Sequence, residues 1–141
     1  MKDSSKARYA VAALVDLACQ PAHHPTTLAA IAKRQDISVS YLEQLFARLR
    51  AGGLIKSVRG PGGGYVLARP STDITIADIY MAVFDAEEAM AANPVEGVSL
   101  RGQMEGLWKA MEREVARFLK SVTVHDVLSG KLTMPERVAA E

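Results

Sequence analysis

The chain has 141 residues, 49% of them hydrophobic and 23% charged, with a formal net charge of +1 at pH 7, the totals of one ordinary globular domain with room for an appendage. A single cysteine excludes a disulfide framework and fits a reducing, cytoplasmic setting; the longest early apolar run, Tyr9 to Leu14, is too short for a membrane span or signal peptide and is cut by Asp16. The small net charge hides an asymmetry: residues 1–70 carry ten Lys and Arg against four Asp and Glu, residues 71–141 carry seven against twelve, which suggests a nucleic-acid face in front and an assembly or regulatory half behind.

The first predicted helix covers 6–19, with Val11, Leu14, Val15 and Ala18 as its apolar stripe and Leu17 beside it. His23-His24-Pro25 ends that segment. Thr26 or Thr27 then caps a second helix, Leu28 to Gln35, with Leu28, Ile31 and Ala32 facing inward. Asp36-Ile37 makes a tight turn into a third helix. There Ser40 with Glu43 three residues on reads as a capping box, with Ser38 as an alternative N-cap. Leu42, Leu45, Phe46 and Leu49 repeat at i, i+3, i+4, i+7 and form its core face, and Gly52-Gly53 supplies a left-handed stop.

Two short β runs follow, Leu54–Val58 and Tyr65–Ala68. The segment between them, Arg59-Gly60-Pro61-Gly62-Gly63-Gly64, holds four of the ten glycines, so the pair reads as a hairpin with a glycine loop. Pro70 ends it, and Thr75 caps a fourth helix near Ile76–Val83. Residues 86–103 lose periodicity and read as a loop. A long helix follows over about 104–121, with Met104, Leu107, Trp108, Met111, Val115, Phe118, Leu119 and Val122 on one side. Lys109, Glu112, Arg113, Glu114 and Arg117 cover the other. Thr123 with Asp126 caps a last short helix that stops at Gly130, and a flexible tail is expected from 131.

The fold class is therefore mostly α with a small β-hairpin wing: a winged helix-turn-helix over 1–85, a sensor-type loop over 86–103, a dimerisation helix and short C-terminal helix over 104–130, and a tail over 131–141. In such a fold the second helix of the motif enters the major groove and its N-terminal residues touch base edges. Ser38, Ser40, Tyr41, Glu43 and Gln44 are polar groups suited to that role. A carboxylate facing a polyanion is unfavourable unless it accepts a hydrogen bond, and the cytosine amino group is the natural donor for Glu43. The plainer role for Glu43 is to complete the Ser40 cap. Arg59, on a narrow glycine loop of Gly60, Pro61, Gly62, Gly63 and Gly64 ahead of Tyr65, suits the minor groove. Lys6, Arg8, Lys33, Arg34, Arg48, Arg50 and Lys56 are candidate phosphate contacts. A nucleotide-type phosphate loop is excluded, because no Gly-Lys-Ser/Thr follows the glycines.

At these residues the chain resembles the IscR-type regulators of the Rrf2 superfamily. The matching runs are Ser5-Lys6-Ala7-Arg8-Tyr9-Ala10-Val11, the segment from Arg34 to Phe46, and Ser57-Val58-Arg59-Gly60-Pro61-Gly62-Gly63-Gly64-Tyr65. Trp108 and the stretch Phe118 to Val124 look like the family's dimerisation region. The resemblance implies a homodimer on a pseudo-palindromic operator that controls transcription, more a repressor than an activator, of iron–sulfur, iron or redox genes. Arg48 joins the implied DNA-binding residues, and the stripe from Met104 to Val122 the implied dimer interface.

The chain departs from the resemblance in one respect. Cluster-binding members carry three cysteines before the long helix, whereas residues 86–107 contain neither Cys nor His. Glu87, Glu88, Glu96 and Glu105 are hard oxygen donors, unlike the thiolates that hold iron–sulfur clusters. An iron–sulfur cofactor would need atypical ligands, for which Cys19, His23 and His24 are the candidates. No Ser/His/Asp set, Cys-x-x-Cys or His-Glu-x-x-His spacing occurs, so no enzyme is expected. The competing functions are a winged-helix module that docks a protein and a regulator whose signal is a metabolite or partner protein.

Overall fold

A computed structural model describes residues 5–21, 23–84 and 99–132. In chain order these form α1 (Ser5–Cys19), α2 (Leu28–Gln35), α3 (Val39–Ala51), β1 (Ile55–Val58), β2 (Gly64–Leu67), a 3₁₀ turn (Ser71–Asp73), α4 (Ile76–Val83), α5 (Ser99–Ser121) and α6 (Val124–Leu128). The strands pair antiparallel, with Ile55 opposite Leu67, Lys56 opposite Val66, Ser57 opposite Tyr65 and Val58 opposite Gly64. Thr26 extends the sheet by a two-bond bridge to Tyr65. The described helices include none long and apolar enough to cross a membrane.

One core joins α1–α4, the hairpin and α6. Leu14, Ile31, Leu42, Leu45, Phe46, Leu49, Ile55, Ile79 and Val124 are fully buried in it, each side chain contributing about 2 kcal/mol by leaving water. The buried face of α1 is not the stripe expected. Ala7, Ala10, Ala13, Leu14 and Leu17 are buried, whereas Val11, Val15 and Ala18 are only half-buried. Alanines carry little weight in an apolar pattern, yet their small size lets α1 lie close against its neighbours.

Short-range signals set the helix ends. Thr27, not Thr26, caps α2 by accepting from the Ala30 N–H at 3.1 Å. Thr26 is buried in the bridge to β2. Asp36 stands in the left-handed region (φ 55°) and closes the turn into α3. Thr75 with Asp78 and Thr123 with Asp126 form two reciprocal capping boxes. A short antiparallel bridge joins them, with Ile76 N–H donating to Val122 O and Val124 N–H to Ile74 O, each at 2.8 Å. This bridge clamps the end of α5 to the start of α4.

The long helix begins at Ser99, ahead of the expected 104, so 99–103 is helix and not loop. Gly102 and the lack of an apolar stripe in 99–103 hide that first turn from periodicity. Residues 86–98 of the expected sensor-type loop and 133–141 of the expected tail lie outside the described residues.

Asp16 is the one buried acid among the described residues. It takes hydrogen bonds from Arg34 Nε (3.0 Å), Arg34 Nη2 (2.7 Å) and Gln35 Nε2 (3.0 Å), tying α1 to the end of α2. Burial alone would push this carboxyl up. The Arg34 and Gln35 hydrogen bonds and the Arg34 charge outweigh it and hold the carboxyl below its ordinary 3.8. A depressed folded value means the stabilisation is complete above the ordinary carboxylate range and is lost as pH falls through the folded value. Urea denaturation is therefore expected to show stability declining from roughly pH 5 downward, with a shallower decline in Asp16→Asn. Parallel pH profiles for the two proteins would refute this.

Candidate nucleic-acid interface

The third helix presents two opposed faces. Leu42, Leu45, Phe46 and Leu49 point into the core, while Ser40, Glu43, Gln44 and Ala47 form the exposed face at the same i, i+3, i+4, i+7 spacing. The N-cap is Ser38, whose hydroxyl accepts from the Tyr41 N–H at 3.1 Å. The Ser40–Glu43 capping box does not form. The left-handed turn at Asp36 delivers the chain to Ser38 in extended geometry (φ −65°, ψ 144°), so the helix starts a residue before Ser40. Glu43 thus has no capping duty, and its carboxylate stands exposed on the outer face.

The end of α3 is a Schellman-type stop. Gly53 takes φ 78°, its N–H bonds Arg50 O at 3.0 Å, and the Leu54 N–H bonds Leu49 O at 3.0 Å. The chain then turns directly into β1. Two contacts hold the hairpin to the helix: the Phe46 and Tyr65 rings meet edge-on at 4.9 Å, and Arg50 Nη1 donates to Ser57 Oγ at 3.4 Å.

The wing tip is a tight turn. The Gly63 N–H bonds Gly60 O at 2.9 Å, with Pro61 and Gly62 (φ 75°) in the centre, as a type II turn requires. Arg59, Gly60, Pro61 and Gly62 are exposed at this tip, whereas Gly63, Gly64 and Tyr65 are half-buried. Tyr65 anchors the base of the wing through its ring contact with Phe46 and its backbone bridge to Thr26.

Three expected contact residues have other tasks. Arg48 is half-buried and donates from Nη1 to the Val83 carbonyl at 2.8 Å, bracing α3 against the end of α4. Arg34 is committed to Asp16. The Lys6 ammonium lies 5.2 Å from the Phe84 ring centroid. Arg8, Lys33, Arg50, Lys56 and Arg59 are exposed. Tyr9, which is not among the expected site residues, also belongs here: its ring meets Tyr41 edge-on at 5.7 Å. This contact brings the first turns of α1 beside the N-terminal end of α3. An aromatic residue off the core stripe of α1 was the available signal.

On α5, the stripe splits. Met104, Leu107, Trp108, Met111 and Phe118 are 49%, 58%, 45%, 41% and 55% exposed. Val115 is half-buried and Leu119 packs on the core. Val122 is only 4% exposed and belongs to the chain's own core, because the bridge to Ile76 draws it inward. It is not part of the exposed face.

The donor set does not fit a three-thiolate cluster. The chain's one thiol, Cys19, is exposed at the end of α1, and no group of three His, Cys, Asp or Glu able to hold a metal occurs among the described residues. His23 and His24 line a cavity that Cys19 does not reach. Glu87, Glu88 and Glu96 lie outside the described residues.

A helix-turn-helix with a polar outer face on its second helix, followed by a hairpin tipped with arginine, defines a winged-helix DNA-binding protein. The comparisons sharpen the class. A family model described as Rrf2, an iron-dependent transcriptional regulator, matches residues 3–130. The chain is 42% identical over 139 residues to the HTH-type transcriptional regulator IscR of Cereibacter sphaeroides, covering 94% of this chain and 90% of the relative. The structure of T. potens IscR superposes with a TM-score of 0.77 at 36% identity, covering 96% of this chain and 91% of that one. CymR, the global cysteine regulator of B. subtilis, also gives 0.77, at 35% identity, with 92% and 97% covered. The chain belongs to the Rrf2 family: it is a DNA-binding transcriptional regulator of the IscR type, not an enzyme.

Proposed function

We propose that the protein is a homodimeric repressor that binds a pseudo-palindromic operator in the cytoplasm. Ser38, Ser40, Glu43 and Gln44 read the major groove and Arg59 enters the minor groove. The observation that carries this reading is the exposed polar face of α3 directly opposite its core stripe, with Glu43 free of the cap. Tyr41 positions that face through its N–H bond to Ser38 and its contact with Tyr9. Gly60, Pro61 and Gly62 shape the turn that presents Arg59, and Gly63 and Gly64 seat it.

The dimer rests on Met104, Leu107, Trp108, Met111, Val115 and Phe118, an exposed apolar face of the kind that marks an interaction site. Target genes of iron–sulfur, iron or redox type are part of this reading, which the family's description as an iron-dependent transcriptional regulator supports. The signal reaches the protein by a route other than a three-thiolate cluster, a reading supported by its donor set.

Selection of operators from a random library tests the reading. Arg59→Ala is expected to lose about 1–3 kcal/mol of affinity, mostly at sites with A·T-rich flanks, and Glu43→Ala to accept bases that the parent rejects. Uniform loss for Arg59→Ala would reduce it to a phosphate contact. Unchanged site preference in Glu43→Ala would remove Glu43 from the readout.

A further inference from the structure

On the side of the hairpin away from α3, the end of α1, the 23–24 loop and the strand pair enclose an open cavity of about 580 Å³. Lys56, Arg69, His23 and His24 line it over an apolar floor that includes Leu17 and Val66, and no carboxylate lines it. Arg69 is steadied by Asp78 at 3.3 Å. Lys56, His23 and His24 have no side-chain hydrogen bond or ion pair among the described residues. His23 stands at φ 64°, a left-handed position where glycine or asparagine is the unstrained choice. The neighbouring His24 N–H bonds Pro21 O at 3.0 Å and closes the turn that presents both rings. A left-handed backbone at His23 on the wall of a cavity shared with the unpartnered Lys56 ammonium is a reason to look for a ligand.

We infer that this cavity is an anion-binding subsite, taking a small carboxylate or phosphate whose charge meets Lys56, Arg69 and the histidines and whose carbon part rests on Leu17 and Val66. Strand alternation links it to the DNA surface: Lys56 and Val66 face the cavity, while their neighbours Ser57 and Tyr65 contact Arg50 and Phe46 of α3. An anion held here bears on the seating of the wing. The same chemistry suits a free metabolite or a backbone phosphate of the operator.

Calorimetric titration of the full chain with inorganic phosphate and with succinate, in low-chloride buffer, tests the site. Saturable binding of at least one probe is expected, weakened about tenfold or more in Lys56→Gln, the loss of one charge-assisted contact. His23→Gly should weaken it too without lowering the melting temperature, because glycine accepts the turn. Lys120→Gln, on the last turn of α5, should bind as the parent does. No saturable binding, or equal weakening in Lys120→Gln, overturns the proposal. Operator titrations then separate the sources. Competition between probe and operator, with a salt slope shallower by about 1 in Lys56→Gln, identifies a backbone phosphate. Operator binding that persists at altered affinity with the probe bound identifies a free anion.

Discussion

Gly64→Ala is expected to cost about 3 kcal/mol of stability, roughly two backbone hydrogen bonds plus an overpacking penalty, and to lower the melting temperature by about 10 °C. A Cβ at Gly64 would overlap the Thr26 carbonyl and come within 2.9 Å of the Thr27 nitrogen. Both obstacles are backbone, so no rotamer change relieves them. The chain must give up the bridge in which Thr26 N–H bonds Tyr65 O at 3.0 Å and Tyr65 N–H bonds Thr26 O at 2.8 Å. Losing that bridge unpins Tyr65 from Phe46 and lets the wing swing. Operator affinity is then expected to fall by more than Arg59→Ala alone produces, because the whole tip is displaced.

Gly60→Ala provides the contrast. Gly60 has φ 95°, but an added Cβ would meet nothing within 4 Å. Only the backbone preference is offended, a cost of about 1 kcal/mol. Thermal melts of the two variants measure the difference. Equal melting temperatures would show that the close approach of Gly64 to Thr26 does not hold the wing.

Much of this fold is written in short-range signals. The core stripe of α3, the boxes at Thr75–Asp78 and Thr123–Asp126, and the glycine stop after α3 each lie within a few residues. The hairpin is equally local. What the sequence does not show depends on partners far along the chain. Arg48 and Arg34 look like phosphate contacts, but their acceptors lie 35 and 18 residues away. Asp16 looks like an interruption of an apolar run and is instead the acceptor that binds α1 to α2. The choice of Ser38 over Ser40 as cap was made by one left-handed residue, Asp36, whose conformation no apolar pattern reveals. At the candidate interface, the outer face of α3 is legible because it is the complement of the core stripe. Val122 falls in phase with the α5 stripe, yet the helix ends at Ser121 and the backbone there has already turned into the bridge, which carries Val122 into the core.

Leu107→Asp is expected to leave the winged-helix body folded and to convert the proposed dimer to monomer, with a fall of about 10²-fold or more in affinity for a two-half-site operator. Leu107 is 58% exposed and makes no part of the core, so a carboxylate there sits in water in the single chain. In a two-fold pair the same carboxylate would be buried among Met104, Trp108, Met111 and Phe118, without a partner for its charge. Those five exposed side chains leave on the order of 400 Å² of apolar surface per chain, enough across a two-fold to approach a specific interface. The effect on DNA should be one of linkage and not of chemistry. A single half-site duplex should bind parent and variant equally, since α3 and the wing are untouched. The full operator should separate them, because the second half-site is then no longer an intramolecular event. Sedimentation of both proteins, with and without each duplex, reads these outcomes directly. A monomeric parent at micromolar concentration, or a variant that keeps the parent's affinity for the full operator, would sink the dimer and leave the apolar face of α5 to some other partner.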